Sequence, residues 1–169
     1  IRLTAGSPRV FSGSGPQGRH PMMNDVMIRM LQLSRKGYGC SQILIRLFLE
    51  ARGEDNPALV RSMAGLAYGC GGGRATCGTL TGGCCALALY AGKGQDDETG
   101  SERLLLMLQE LTDWFGEQVG KPHGGIACET IVGVAGPAAA RQRCGAIVAD
   151  TYAKVLEILA ANGFDPSGA

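Results

Sequence analysis

Seven cysteines lie in a chain of 169 residues, and three of them share one setting: a glycine-rich approach followed at once by a helical pattern. Cys40 comes after Gly37-Tyr38-Gly39. Cys77 comes after Gly71-Gly72-Gly73 and opens the phrase Cys77-Gly78-Thr79-Leu80-Thr81-Gly82. Cys128 comes after Gly124-Gly125 and is followed by Glu129 and Thr130. A thiolate at a helix start is favoured by the positive end of the helix dipole and by unpaired backbone N–H groups, so raised acidity is expected of Cys40 and Cys77. Glycines remove side-chain bulk and let amides approach sulfur, as a cluster of net negative charge requires. Cys144 differs, standing inside a helical segment between Arg143 and Gly145, where the cation would favour a thiolate.

An exposed thiolate binds metals and oxidises, so seven cysteines in a chain that reads as cytoplasmic need a reason beyond packing. An iron–sulfur cluster and a working dithiol are the leading explanations. Zinc, or a structural subunit with passive thiols, stands behind them. No CxxCH box is present to attach haem, and no CxxC pair occurs. Cys40, Cys77, Cys128 and Cys144 are separated by 37, 51 and 16 residues, which fits neither ferredoxin nor zinc-finger spacing. Any ligand set must therefore be assembled by the fold. Cys84 and Cys85, among Ala86, Leu87 and Ala88, read as small hydrophobes. Cys70 is intermediate, either a substitute ligand or a nearby resolving thiol. His123 is close in sequence to Cys128, but a loop histidine is more often solvated than functional.

The elements that must position these residues read as helices. Val26, Met27, Met30, Leu31 and Leu33 recur at three- and four-residue spacing, giving a first helix near 24–36. Ser41 is expected to cap a second that ends at Gly53, and Asn56-Pro57 to open a third that runs to about Tyr68. Thr76 to Ala91 forms a fourth, rich in small residues. Thr99 or Ser101 caps a fifth through Leu104, Leu105, Leu108, Leu111, Trp114 and Phe115. Segments near 126–133 and 137–161 follow. No long period-two alternation calls for a sheet, so the fold class is all-α: a compact bundle of six to seven helices with glycine-rich loops carrying cysteines.

Composition narrows the rest. With 45% apolar residues the chain can bury a core without disulfide staples, and the odd cysteine count agrees. Sixteen basic against fifteen acidic residues leave a net charge of +1, so no nucleic-acid partner is expected. No apolar run reaches the roughly 18 residues that a membrane span needs. Residues 1–22 carry glycines, prolines, serines and arginines with no acidic residue, and read as a flexible leader or a cloning remnant. Residues 23–169 then form a single helical redox domain.

Over roughly residues 24–162 the chain resembles the C_GCAxxG_C_C family of redox-active proteins, small proteins defined by four cysteines, one of them in a CGAxxG phrase. Cys77-Gly78-Thr79-Leu80-Thr81-Gly82 carries that phrase with Thr79 in place of the family's Ala. Gly39-Cys40-Ser41-Gln42 is similar to the family's first cysteine, Cys128-Glu129-Thr130 to its third and Arg143-Cys144 to its fourth. A more distant resemblance reaches the cluster-bearing part of the split-Soret cytochromes, whose haem does not carry over. The resemblance implies an iron–sulfur cluster held by Cys40, Cys77, Cys128 and Cys144, with Cys70 as a possible substitute. It also implies electron exchange with a protein donor or acceptor, and a homodimer, for which the broad apolar arc of the fifth helix would supply the contact.

Overall fold

A computed structural model describes residues 23–134 and 136–166, and the leader assigned to 1–22 lies outside them. Among the described residues seven α-helices of five residues or more carry the fold: α1 Met23–Arg35, α2 Cys40–Ala51, α3 Pro57–Met63, α4 Gly78–Ala91, α5 Leu104–Phe115, α6 Cys128–Val132 and α7 Pro137–Ala161. Among the described residues there is no β-strand, only an isolated antiparallel bridge between Thr76 and Ala127. The all-α expectation holds.

Helix α4 is the axis of the bundle and packs against α2, α5 and α7. Its small residues make that possible. A methyl group at Gly82 would sit 2.9 Å from Ser41 Cα of α2, and one at Gly83 would sit 2.9 Å from Leu111 Cδ2 of α5 and 3.1 Å from Thr151 Cγ2 of α7. Around this axis Leu44, Phe48, Leu87, Leu111, Phe115, Val155, Ile158 and Leu159 are fully buried. Phe48 stacks at 4.8 Å from Tyr152, so α2 and α7 share one aromatic contact at the core's centre. Helix α1 is pinned to the end of α2 by the fork of Arg29, whose Nε and Nη2 donate to Glu50 at 2.8 and 2.6 Å.

Three local expectations are corrected. Ser41 does not cap α2: Gly39 occupies that position, and the buried Ser41 hydroxyl donates across to Met63 O at 2.7 Å. Helix α3, whose start is capped as expected by Asn56 Oδ1 accepting from Leu59 N–H, stops at Met63 instead of reaching Tyr68. Beyond a short tight turn the backbone reverses hand, with Tyr68, Gly69, Cys70 and Gly71 all at positive φ, between 55° and 80°. The apolar arc of α5 is used mostly inside the chain. Met107, Leu111 and Phe115 are buried, and Leu104, Leu108 and Trp114 pack against the core, because α4 and α7 flank α5 on two sides. Leu105 and Leu106 remain outside, 76% and 68% exposed.

Candidate functional site

The end of the bundle where α2, α4 and α6 begin is where the glycine-preceded cysteines stand. Cys40 is the first residue of α2, Cys77 caps α4 and Cys128 is the first residue of α6. Each position is fixed by a different set of bonds.

Cys40 is held through its neighbours. Gln42 reaches back to accept from Gly39 N–H at 3.0 Å and donates to Val60 O at 3.1 Å, while Ser41 holds Met63 O. The start of α2 is thereby moored to α3. Gly39 is required by space, since a methyl group there would lie 2.6 Å from Ala67 Cβ. On its other side the Cys40 sulfur lies against Gly78, so that the residue after Cys77 forms the wall beside Cys40.

Cys77 and Cys128 are joined by main chain. Cys77 N–H donates to Ile126 O at 2.8 Å, Cys128 N–H donates to Ala75 O at 3.1 Å, and Glu129 N–H donates to Gly73 O at 2.8 Å. The left-handed turn closes over this pair. Gly69 is placed so that a methyl group would meet Ala75 O at 2.7 Å and Cys128 Cβ at 2.9 Å, which demands glycine for space as well as for its φ of +60°.

Cys144 comes from the second turn of α7. Arg143 does not lie free beside it as a counter-ion: its Nη1 donates to Ile131 O at 2.8 Å and Val132 O at 2.9 Å, closing the end of α6.

The electrostatics of Cys77 and Cys144 differ from the expectation of raised acidity. Burial pushes Cys77 up, against hydrogen bonds from the backbone N–H groups of Thr79 and Leu80 and from the Thr79 hydroxyl that favour its thiolate. Burial pushes Cys128 up to about 11, and the neighbouring thiols Cys77, Cys40 and Cys144 add to the shift. Cys144 is raised by burial first and then by Cys77 and Cys40, with Arg143 opposing. The helix-start N–H groups do reach sulfur, as the glycine-then-helix pattern implied, but desolvation outweighs them. At neutral pH Cys77, Cys128 and Cys144 are thiols.

Cys40, Cys77, Cys128 and Cys144 thus act on one another from four separate segments. Among the described residues, no group of three or more His, Cys, Asp or Glu side chains closes into the ligand set of a metal ion. Cys70 is exposed. Cys84 and Cys85 pack against the core, two turns along α4. His123 Nδ1 is 2.8 Å from Val119 O, and its ring lines an open groove with Trp114 and Arg143.

Two contributors were not legible from residue type alone. Thr79, which stands where the family has Ala, is 1% exposed, and its hydroxyl bonds the Cys77 sulfur. Arg143 was read as a charge and serves first as a clasp.

A family model described as "Putative redox-active protein (C_GCAxxG_C_C)" matches residues 38–158, well over half of the chain, and the chain belongs to that family. No curated protein and no solved structure matches.

Proposed function

We propose that Cys40, Cys77, Cys128 and Cys144 hold an iron–sulfur cluster and that the protein carries electrons between protein partners. One observation carries this reading: main-chain bonds join Cys77 to Cys128, Gly78 sets the Cys40 sulfur beside Cys77, and Arg143 ties the segment of Cys144 to that of Cys128, so four thiols converge from four segments. The donor set fits the group. It offers sulfur only, glycines that keep the space beside the sulfurs free of side chains, and N–H groups of α4 that bond a ligand sulfur.

When bound, such a cluster takes up and releases an electron without making or breaking bonds to a substrate. The chain's own part is to exclude water, to fix the sulfurs and to set the potential through hydrogen bonds. Cys77, 5% exposed, is the most protected of the four. A thiol–disulfide relay is supported less well, because attack requires a thiolate and burial disfavours it at Cys77, Cys128 and Cys144. Metal binding meets the same penalty once, at assembly, when the thiol protons are released.

The cytoplasm suits thiols that are all free. The exposed pair Leu105 and Leu106 is the place on α5 where a second copy would dock. No described helix is long and apolar enough to cross a membrane.

The test is anaerobic reconstitution with ferrous iron and sulfide. Thiolate-to-iron absorption in the visible with bound iron and sulfide is the expected result. A protein that stays colourless would overturn the reading, and a reversible disulfide among the four in metal-free protein would replace it with the relay.

A further inference from the structure

Three of the four thiols are tied to one another by packing or main-chain bonds. Cys77 and Cys128 share the pairing around the Thr76–Ala127 bridge, and the Cys40 sulfur rests on Gly78. Cys144 reaches the group from α7, a helix entered only after Gly133, Val134 and Gly136. Its tie to the others runs through the preceding residue. Arg143 Nη1 donates to the carbonyls of Ile131 and Val132, which end the five-residue helix that Cys128 begins. Carbonyls in the last turn of a helix have no intrahelical amide to accept from. One guanidinium nitrogen satisfies both and spans the two segments that carry Cys128 and Cys144.

We propose that Arg143 is the positioning residue of the four-thiol site, holding Cys144 in register with Cys128 and setting a fixed positive charge at the edge of the centre. The first part stands on hydrogen-bond geometry alone. The second rests on the cluster reading: a cation held beside a negatively charged cluster favours the added electron and raises its potential. Lysine can supply the charge, but its ammonium stands on a flexible four-carbon stem and lacks the rigid guanidinium plane that aims Nη1 at both carbonyls.

The test uses the full chain as wild type, Arg143→Lys and Arg143→Gln. In reduced, metal-free protein, a short bis-maleimide is applied, which alkylates two thiols without an oxidant, and the Cys128–Cys144 cross-link is mapped by peptide mass against the Cys40–Cys77 cross-link as internal reference. The ratio should fall by roughly fivefold in both variants, the equilibrium weight of about one hydrogen bond. After anaerobic loading with iron and sulfide, the reduction potential should drop in Arg143→Gln and stay near wild type in Arg143→Lys, a split that a purely structural role would not produce. An unchanged cross-link ratio in Arg143→Gln would overturn the positioning role, and equal potentials in all three forms would overturn the charge role. If glutamine unfolds the chain, judged by its helical circular dichroism, the lysine form decides the positioning role by the same ratio. Failure of wild type to take up iron and sulfide would overturn the cluster reading while leaving the cross-link ratio to judge Arg143.

Discussion

The sulfur of Cys40 and the α-carbon of Gly78 are in such close contact that a methyl group on Gly78 would lie 2.6 Å from Cys40 Sγ, and 2.7 Å from Leu66 O. The glycine that follows one thiol therefore shapes the seat of another. Because one of the obstructing atoms is a backbone carbonyl, the clash cannot be relieved by a side-chain rotation. Gly78→Ala should cost about 1–3 kcal/mol, the usual penalty of overpacking, and should also lower iron uptake. Denaturant midpoints and iron content measure the two. Wild-type iron content in this variant would mean that Cys40 has no part in the centre.

The proposed ligand set predicts a division among single cysteine variants. Serine at Cys40, Cys77, Cys128 or Cys144 should bleach the reconstituted protein, whereas Cys85→Ala and Cys70→Ser should retain iron near the wild-type level. Cys70 is exposed and Cys85 packs on the core, so neither change removes a thiol from the coupled group. Bleaching by Cys85→Ala with retention in Cys77→Ser would invert the assignment.

Burial of the thiols makes the metal-free protein sensitive to alkali. A free thiol ionises near 9.0, while Cys128 in the folded chain holds its proton up to about 11, and Cys77 and Cys144 are shifted in the same direction. Between those values the unfolded chain has lost a proton that the folded chain retains. Stability must then fall as pH rises, with little change from this source below about pH 9. Denaturation midpoints at about pH 8 and about pH 10.5 should show the loss. Uptake of iron has the opposite sign and weakens with acid, because protons compete for the same sulfurs.

The hydroxyl of Thr79 can be removed without disturbing the backbone. Thr79→Ala deletes one hydrogen bond to the Cys77 sulfur, so the reconstituted centre should keep its iron and show a lower reduction potential. An unchanged potential would indicate that the backbone N–H groups of Thr79 and Leu80 alone set it at this sulfur.

A dimer through α5 now depends on Leu105 and Leu106, since the rest of the arc is occupied by α4 and α7. Light scattering at micromolar concentration should give twice the chain mass for wild type and a single mass for Leu106→Lys. A concentration-independent monomer for wild type would remove the dimer.

Helices with a strong apolar period or a proline start were legible in the sequence: α1, α3, α5 and α7 begin within a few residues of where spacing and caps put them. The end of α3 was not, because Gly65 opposes helix only weakly and Leu66 and Ala67 after it favour helix. What reverses the chain there is the need to bring Gly69 against Ala75 and Cys128, a demand from residues distant in sequence. The placing of Cys40, Cys77 and Cys128 at helix starts could be read from their glycines. The ionisation of Cys77 and Cys128 could not, since the N–H groups that favour a thiolate are local while the desolvation that defeats them is set by the whole bundle. Arg143 shows the same limit: its charge is visible in one letter, its carbonyl partners are not.

The assembly of the site from four distant segments has a consequence for the protein while it is being made. About a hundred residues separate Cys40 from Cys144, and at roughly 5–20 residues per second the ribosome needs on the order of ten seconds to cross that interval. Over that interval Cys40 is first without the wall of Gly78, then without Cys128, and last without α7. The earliest thiol is thus the one longest open to oxidation and to stray metal, and synthesis of this chain favours a cell that keeps its nascent proteins reduced.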